Sequence, residues 1–473
     1  MMTNKLQTLV SETGPSATEA AAGLLAAAGL DPGLVSRLTV TGADPQLPSI
    51  LRIGTAAAAA IGAASVAVTE VWRERTGRTQ TVSIDIRHAA AAFRTERYAL
   101  VPGMPRNDQT GRFGSEFYRT ADNRFIRFHT GLPHYKKAAL DVLGCEETNE
   151  AAIAAVAKWN AFELEQALAD HGAIPAVVLT HEEWARHPQG KEVVRLPIVE
   201  ITKIADSPPQ PFTPGERPLS GFRVIDLTRV ISGPTCCRFL AGHGADVIQL
   251  SAQSVVSGTL TDVATGFGKR SAWMDLRTDL DAFGGLVDGA DVLIQAMKPG
   301  VLASYGFGPE ESAARRPGLI YVNLSGYGHL GPWADRPCYD TMLQCNDGIA
   351  YEEAEFRQGG TPVAVPCQAM DHATAYVIAT AVLSTLIRRS REGGSYLIRV
   401  ALAGTGEWIR GLGHVDGTML ADPDRADFED LMANMETPFG EVRYLTPPEH
   451  LSETPPFYAL PSAPFGTHEP VWE

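Results

Sequence analysis

The sequence predicts an α/β protein, with a large domain built on a parallel sheet and a smaller α+β domain ahead of it. Three observations carry this. From residue 222 the chain repeats short, strongly apolar runs: FRVIDL (222–227), DVIQL (246–250), SAWMDL (271–276), DVLIQA (291–296) and GLIYVNL (318–324), with helical stretches between them. Strands alternating with helices form parallel sheets, whose members read as near-continuous apolar runs because both faces are covered. Ahead of that point, short strands mix with amphipathic helical stretches. The two regions meet at SPPQPFTPGERP (207–218), whose five prolines suit a linker.

In chain order, residues 1–49 read as a helical extension that is Ala-rich near 17–29. The region 50–206 opens with an Ala-rich helix over 55–75 that stops at Gly77. Its most apolar run, 55–69, is followed by Glu70, Arg73 and Arg75 and is too short to span a bilayer. TVSIDI (81–86) alternates as a strand, and RHAAAAFRTERYAL after it reads as one helix. A strand at FIRFHT (125–130) and two helices within 149–172 follow. In the region 219–473 the strand series closes with a helix at 372–389, a strand at 395–402 and a helix at 403–412. The last sixty residues read as Pro-rich and irregular, wrapping over a domain.

One unit occurs twice. Residues 50–96 match 366–412 at an offset of 316, which aligns Arg73 with Arg389, Arg75 with Arg391, Gly77 with Gly393 and Arg94 with Arg410. Both copies read helix, basic turn with glycine, strand, helix. Asp371 falls opposite Thr55, so the acidic residue belongs to the second copy alone.

Composition narrows the function. Hydrophobic residues at 44% and charged residues at 20% suit a globular chain. A net charge of −15 repels nucleic acid and anionic membrane in the mean, so neither is expected as a partner. Six cysteines without a CxxC pair or zinc spacing imply reduced thiols, no metal and a cytoplasmic setting. The start, MMTNKLQTLVSETGPSATEAAAG, has no basic region followed by an apolar core, so no signal peptide is expected. TRVISGPTCC, the first turn between strand and helix, lacks the GxGxxG that a dinucleotide pyrophosphate needs, which excludes a nicotinamide-dependent dehydrogenase.

Several segments of the second half resemble family III CoA-transferases, the superfamily that also holds 2-methylacyl-CoA racemases. They are GFRVIDLTRVISGPTCCRFLAGHGADVIQL (221–250), KRSAWMDLR (269–277), DVLIQAMKPGVLASYGFGPEE (291–311), YVNLSGYGHLGPWADRPCYDTMLQCNDGIA (321–350) and VPCQAMDHATAYVIATAVLSTLIRRSREGG (365–394). Residues 50–96, 116–200 and 450–470 resemble later parts of the same family, so the domains stand in a permuted order. The resemblance implies a Rossmann-like large domain, a homodimer, coenzyme A as a substrate with no permanently bound cofactor, and acyl-CoA and carboxylic acids as partners. It implies an acyl-CoA:carboxylate CoA-transferase working through an aspartyl-CoA thioester, with Asp371 as the nucleophile. Such a carboxylate has to be ionised and partly dehydrated, with donors nearby for the developing oxyanion. An Asp that opens a helix is also a common N-cap, and free N–H groups there would keep it ionised.

Ligand sites in open α/β sheets lie at the C-terminal ends of the strands. By position in the resemblance, Arg229, Val230, Ser232 and Gly233 are candidates for coenzyme A, with Lys269, Arg270 and Lys298 for its phosphates. Met297, Gly326, Tyr327, Gly328, Tyr339 and His372 complete the expected pocket. Arg112 belongs to a loop that would cover it. Two spots depart from the family pattern. QLSAQS with Ser251 stands where "VE-P-P" is usual, and Ala296-Met297-Lys298 stands for Asn-Phe-Arg. Where racemases show "GHD" the chain has Cys338-Tyr339-Asp340, and a tyrosine is a poor base at neutral pH. A racemase or epimerase, or a non-catalytic CoA-binding homologue, are the alternative readings.

Overall fold

A computed structural model describes residues 14–105, 112–415 and 420–472. Residues 1–13, which open the stretch read for a signal peptide, and Gly111, beside Arg112, lie outside the described residues.

The first half runs α1 (Ala17–Ala27), β1 (Leu38–Thr41), α2 (Ile53–Thr76), β2 (Val82–Asp85), α3 (Ile86–Ala92) and α4 (Thr95–Tyr98). The single helix expected at 87–100 is therefore broken. Arg94 leaves helical geometry at φ −136° and is buried, with its guanidinium 2.7 Å from Asp422. Three short strands, β3 (Tyr118–Arg119), β4 (Phe125–Phe128) and β5 (Pro175–Val177), make an antiparallel sheet, with α5 (Pro133–Leu143) between the last two. β6 (Val199–Ala205) follows, and residues 206–222 carry no helix or strand.

The second half supplies β7 (Arg223–Leu227), α6 (Ser232–Gly242), β8 (Asp246–Ser251), β9 (Lys269–Trp273), β10 (Val292–Gln295), β11 (Ile320–Ser325), α7 (Asp340–Asn346), α8 (Ala369–Glu392), β12 (Ser395–Ala401) and α9 (Leu402–Gly411). These strands form a seven-stranded sheet in the order β6-β12-β11-β10-β7-β8-β9. Every pairing is parallel except that of β6 on β12. The chain leaves β7 in one direction for β8 and β9, then returns to build β10, β11 and β12 on the other side. The crevice between β7 and β10 is the topological switch point, where such sheets bind ligands. β9 begins two residues before the expected run, because its ladder with β8 pairs Val247 with Lys269.

The last sixty residues are more regular than expected. They hold a hairpin, β13 (Met432–Thr437) and β14 (Gly440–Leu445), and then β15 (Glu449–Leu451). β15 pairs antiparallel with β2 in a three-stranded sheet, β1-β2-β15. Each half thus lends an edge strand to the other, β6 to β12 and β15 to β2. One apolar core contains Ala17, Leu164, Val224, Ile378 and Leu451. The linker at 207–218 therefore does not separate two independently packed bodies.

The repeat is real in three dimensions. α2 and α8 have the same length of 24 residues, with both ends displaced by 316. Their N-caps share one backbone shape, φ −78°, ψ 64° at Arg52 and φ −90°, ψ 68° at Gln368. Each C-cap is a glycine at positive φ. The two helices pack on one another, and Ala-rich surfaces let their backbones come close. α2 extends the helix expected over 55–75 by two residues at its start and one at its end, and is longer than the apolar run 55–69 that reads as too short to span a bilayer. Both helices are long and apolar enough to cross a membrane by length and composition, and both apolar windows are wholly buried within the fold.

Candidate active site

A cleft of about 670 Å³ opens at the C-terminal ends of the parallel strands. Its walls come from the turn after β7 (Leu227, Arg229, Val230, Ser232), the turn after β10 (Ala296 to Gly300), the β11 end and its glycine loop (Asn323 to His329), and the segment Ala334 to Tyr339. The β12 end adds Arg399 to Leu402. Leu132, His134, Tyr135, Val193, Leu196 and Glu200 of the first half close the opposite side. Asp371 also lines this cleft.

Asp371 is 8% exposed and is the third residue of α8. It is not the N-cap. That position is Gln368, whose side chain makes no capping bond. The capping carboxylate is that of Asp340, the first residue of α7. Its Oδ2 accepts the N–H groups of Met370 at 2.8 Å and Asp371 at 3.0 Å. Asp44, ahead of the first copy, does the same for α2, accepting from Gly54 and Thr55 at 2.8 and 2.7 Å. The N–H groups expected to keep Asp371 ionised are thus already satisfied. Burial and then the facing Asp340 push the Asp371 carboxyl far above the usual carboxylate range. Only a hydrogen bond from Ser232 works the other way. Asp340 is itself raised by burial.

Ser232 Oγ donates to Asp371 Oδ1 at 2.5 Å. Oδ2 has no hydrogen-bond partner among the described residues. The turn that presents Ser232 is strained: Val230 sits at φ 69°, a region costly for a β-branched residue, and is exposed at the cleft wall. Tyr339 stacks on His129 with ring centroids 4.1 Å apart. Burial raises the Tyr339 hydroxyl well above its ordinary range. Burial and then Arg127 hold His129 down to about 4, so its imidazole is neutral at pH 7.

Of the residues expected from sequence, the fold brings Arg229, Val230, Ser232, Met297, Lys298, Gly326, Tyr327, Gly328, Tyr339 and Asp371 to this cleft. Tyr327 turns its hydroxyl inward to Asn346 at 2.6 Å. Gly328 is needed as glycine: φ is 92°, and a Cβ would stand 2.5 Å from Leu196. Five others lie elsewhere. Lys269 is fully buried beneath the sheet end, with Nζ 3.0 Å from Asp226. Arg270 pairs with Asp246 at 2.7 Å and lies over Trp472. Neither lines the cleft, because β9 runs its first two residues into the packed ladder. Gly233 does not line the cleft and packs on its own turn: a Cβ there would stand 2.0 Å from Thr228 Oγ1. His372 is buried, stacked on Phe93, with Nε2 3.0 Å from Glu96. Arg112 is exposed and does not line the cleft.

Sequence reasoning named Asp340 only as the end of Cys338-Tyr339-Asp340 and missed its contact with Asp371, which acts across thirty-one residues. It also missed Gln295 and Asn323, joined side chain to side chain at neighbouring strand ends. Their signal was available, a polar residue closing an otherwise apolar run. The first-half wall, including Arg399's partner Glu200 at 2.6 Å, follows from the exchange of β6 and was not legible.

The CoA-transferase family III model matches residues 10–210 and again 219–422. An acetyl-coenzyme A transferase of Hypoxylon pulicicidum is 28% identical over 327 residues, covering 64% of this chain and 55% of that protein. A probable fatty acyl-CoA transferase of Mycobacterium tuberculosis is 35% identical over 202 residues, covering 39% and 50%. A formyl-CoA:oxalate CoA-transferase of Afipia carboxidovorans is 31% identical over 198 residues, covering 39% and 46%. The chain thus spans about half the length of the curated relatives it matches. Among solved structures, a crystal structure of a Mycobacterium tuberculosis protein is 33% identical over 41% of this chain and 59% of its own, with a TM-score of 0.38.

Proposed function

Because the chain belongs to CoA-transferase family III, we propose that it moves coenzyme A from an acyl-CoA donor to a carboxylic acid acceptor, with Asp371 as the covalent nucleophile. The observation that supports this most is a buried carboxylate in a large cleft, with one oxygen held by Ser232 and the other unengaged among the described residues. The cleft volume is in the range of small-molecule sites. Lys298, exposed at the wall and without an ion pair among the described residues, suits a phosphate at the mouth.

In this reading Asp371 Oδ2 attacks the thioester carbonyl carbon. The C–S bond breaks, CoA leaves as thiolate, and a mixed anhydride remains. The thiolate then attacks Asp371 Cγ, expels the donor acid as its carboxylate and leaves an aspartyl-CoA thioester. The acceptor acid reverses the sequence. Burial suits this chemistry, since both intermediates hydrolyse if water enters, and a dehydrated carboxylate is a stronger nucleophile. Coenzyme A is a substrate here and no permanent cofactor takes part. A cytoplasmic location belongs to the same reading, supported by six cysteines that are all free thiols. A racemase would need a second base across the α-carbon. Tyr339 has a raised hydroxyl and His372 faces Glu96, so neither suits that task.

Intact-protein mass after incubation with formyl-, acetyl-, succinyl- and octanoyl-CoA tests the proposal. The expected result is an acyl or CoA-sized adduct on wild type, released by hydroxylamine and absent from Asp371→Asn. CoA binding without any adduct would instead favour the non-catalytic homologue. Exchange of the α-proton without an adduct would favour the racemase.

A further inference from the structure

We infer that Ser232 is a catalytic hydrogen-bond donor that assigns separate fates to the two oxygens of Asp371: Oδ1 is retained through turnover while the other position is exchanged with substrate. The inference rests on the covalent reading above and adds to it which oxygen attacks and what stabilises the charge on the other.

The geometry is specific. Ser232 is the first residue of α6 and 3% exposed, and its hydroxyl donates to Oδ1 at 2.5 Å. The turn is braced from behind. Thr228 donates its N–H to Asp226 Oδ1 at 2.9 Å, and its hydroxyl bonds the same oxygen. Asp226 is fixed in turn by buried Lys269 at 3.0 Å. Gly233, next to Ser232, packs directly against the Thr228 side chain. The hydroxyl is therefore held by a rigid support rather than by the ligand, which is what preorganised stabilisation requires.

The chemistry follows atom by atom. Oδ2 makes the bond to the donor's carbonyl carbon and becomes the bridging oxygen of the anhydride. When thiolate attacks Cγ, the electron pair of the Cγ–Oδ1 double bond moves onto Oδ1. Collapse breaks the bond from Cγ to the bridging oxygen, which departs with the donor acid. Negative charge thus gathers on Oδ1 in the free carboxylate and again in the tetrahedral intermediate, and Ser232 donates to that atom in both. The acceptor acid later supplies a new bridging oxygen, which stays on Asp371 when the acyl group leaves. The other groups facing Asp371 do not assist. Asp340 of α7 and Glu96 of α4 oppose its charge. Cys338 and Tyr339 ahead of α7 are held protonated by burial. His372 on α8 is engaged with Glu96.

The test uses full-length enzyme, an acyl-CoA that labels it, and the matching acid carrying heavy oxygen in both positions. After many turnovers the peptide containing Asp371 is expected to gain one heavy oxygen and no more. In Ser232→Ala the carboxylate is free to flip between turnovers and gains two. The same variant is expected to form the aspartyl adduct about 10²-fold more slowly, with the acidic limb of its pH–rate profile moved to higher pH. Ser232→Thr, which keeps the hydroxyl, restores both. If Ser232→Ala does not fold, the count in wild type and the Thr variant still decides. Two heavy oxygens in wild type, or an Ala variant matching wild type in count, rate and pH limb, overturns the role of Ser232 alone. No adduct and no heavy oxygen in wild type overturns the covalent reading, and this inference with it.

Discussion

Asp371 is ionised only against its surroundings, and this has a measurable consequence. A carboxyl whose pKa is higher folded than unfolded makes the folded state bind more protons, so stability falls as pH rises from near the unfolded value of 3.8 through the raised folded value. Asp371→Asn removes this burden. Its melting temperature is expected to exceed that of wild type by roughly 1–3 °C at pH 8, with the difference vanishing near pH 3. A scanning-fluorimetry pH series checks this, and equal melting curves at pH 8 would contradict it. Asp340→Asn tests the facing charge. The amide oxygen can still cap α8, while loss of the negative charge lets Asp371 ionise earlier. The acidic limb of the transfer rate is expected to move to lower pH, and an unmoved limb would show that burial alone sets it.

At the scale of elements, the turn after β7 and the start of β9 form one device. Lys269 was expected to meet a phosphate by its position in the family resemblance and because basic side chains make charge-assisted contacts to phosphate. Its ladder partner Val247 draws it into the interior, where its charge is matched by Asp226. Removing one member of such a buried pair costs about 3–5 kcal/mol. Lys269→Met is thus expected to lose that much stability in denaturant titration while the KM for acyl-CoA stays unchanged. A raised KM in a folded variant would restore the phosphate role. Gly233→Ala forces a methyl group against Thr228. It is expected to cost about 1–3 kcal/mol and to slow transfer by displacing Ser232, again without a change in KM.

At the scale of the molecule, the two matched segments build a single cleft. Tyr135, Leu196 and Glu200 from one half face Asp371, Arg229 and Tyr339 from the other. The first copy keeps the long helix, capped by Asp44 from outside the repeat, but has Thr55 where the second has Asp371. One chain therefore carries both of these walls and one candidate nucleophile, so the proposed reading assigns the whole site to a single chain. The expected outcome is one adduct per chain, with specific activity unchanged on dilution below any dimer dissociation constant seen by light scattering. Activity that falls in step with dimer dissociation would place part of the site on a second chain.

The sequence by itself determined the local and near-local features. Apolar runs alternating with helices specify the parallel sheet, and the repeat at a fixed offset pairs α2 with α8, each within three residues of its observed ends. The motifs around Asp371 and the β7 turn mark the family, because backbone period, caps and turns act over a few residues. Tertiary structure alone decided which charges are buried, which half closes the cleft and which groups meet Asp371. Lys269 reads alike whether it faces water or Asp226. Ser232 and Asp340 lie 139 and 31 residues from their contact with Asp371. Such contacts depend on sheet order and on the exchange of β6 and β15, which bring distant segments into a low-dielectric interior where a single hydroxyl or carboxylate dominates the chemistry.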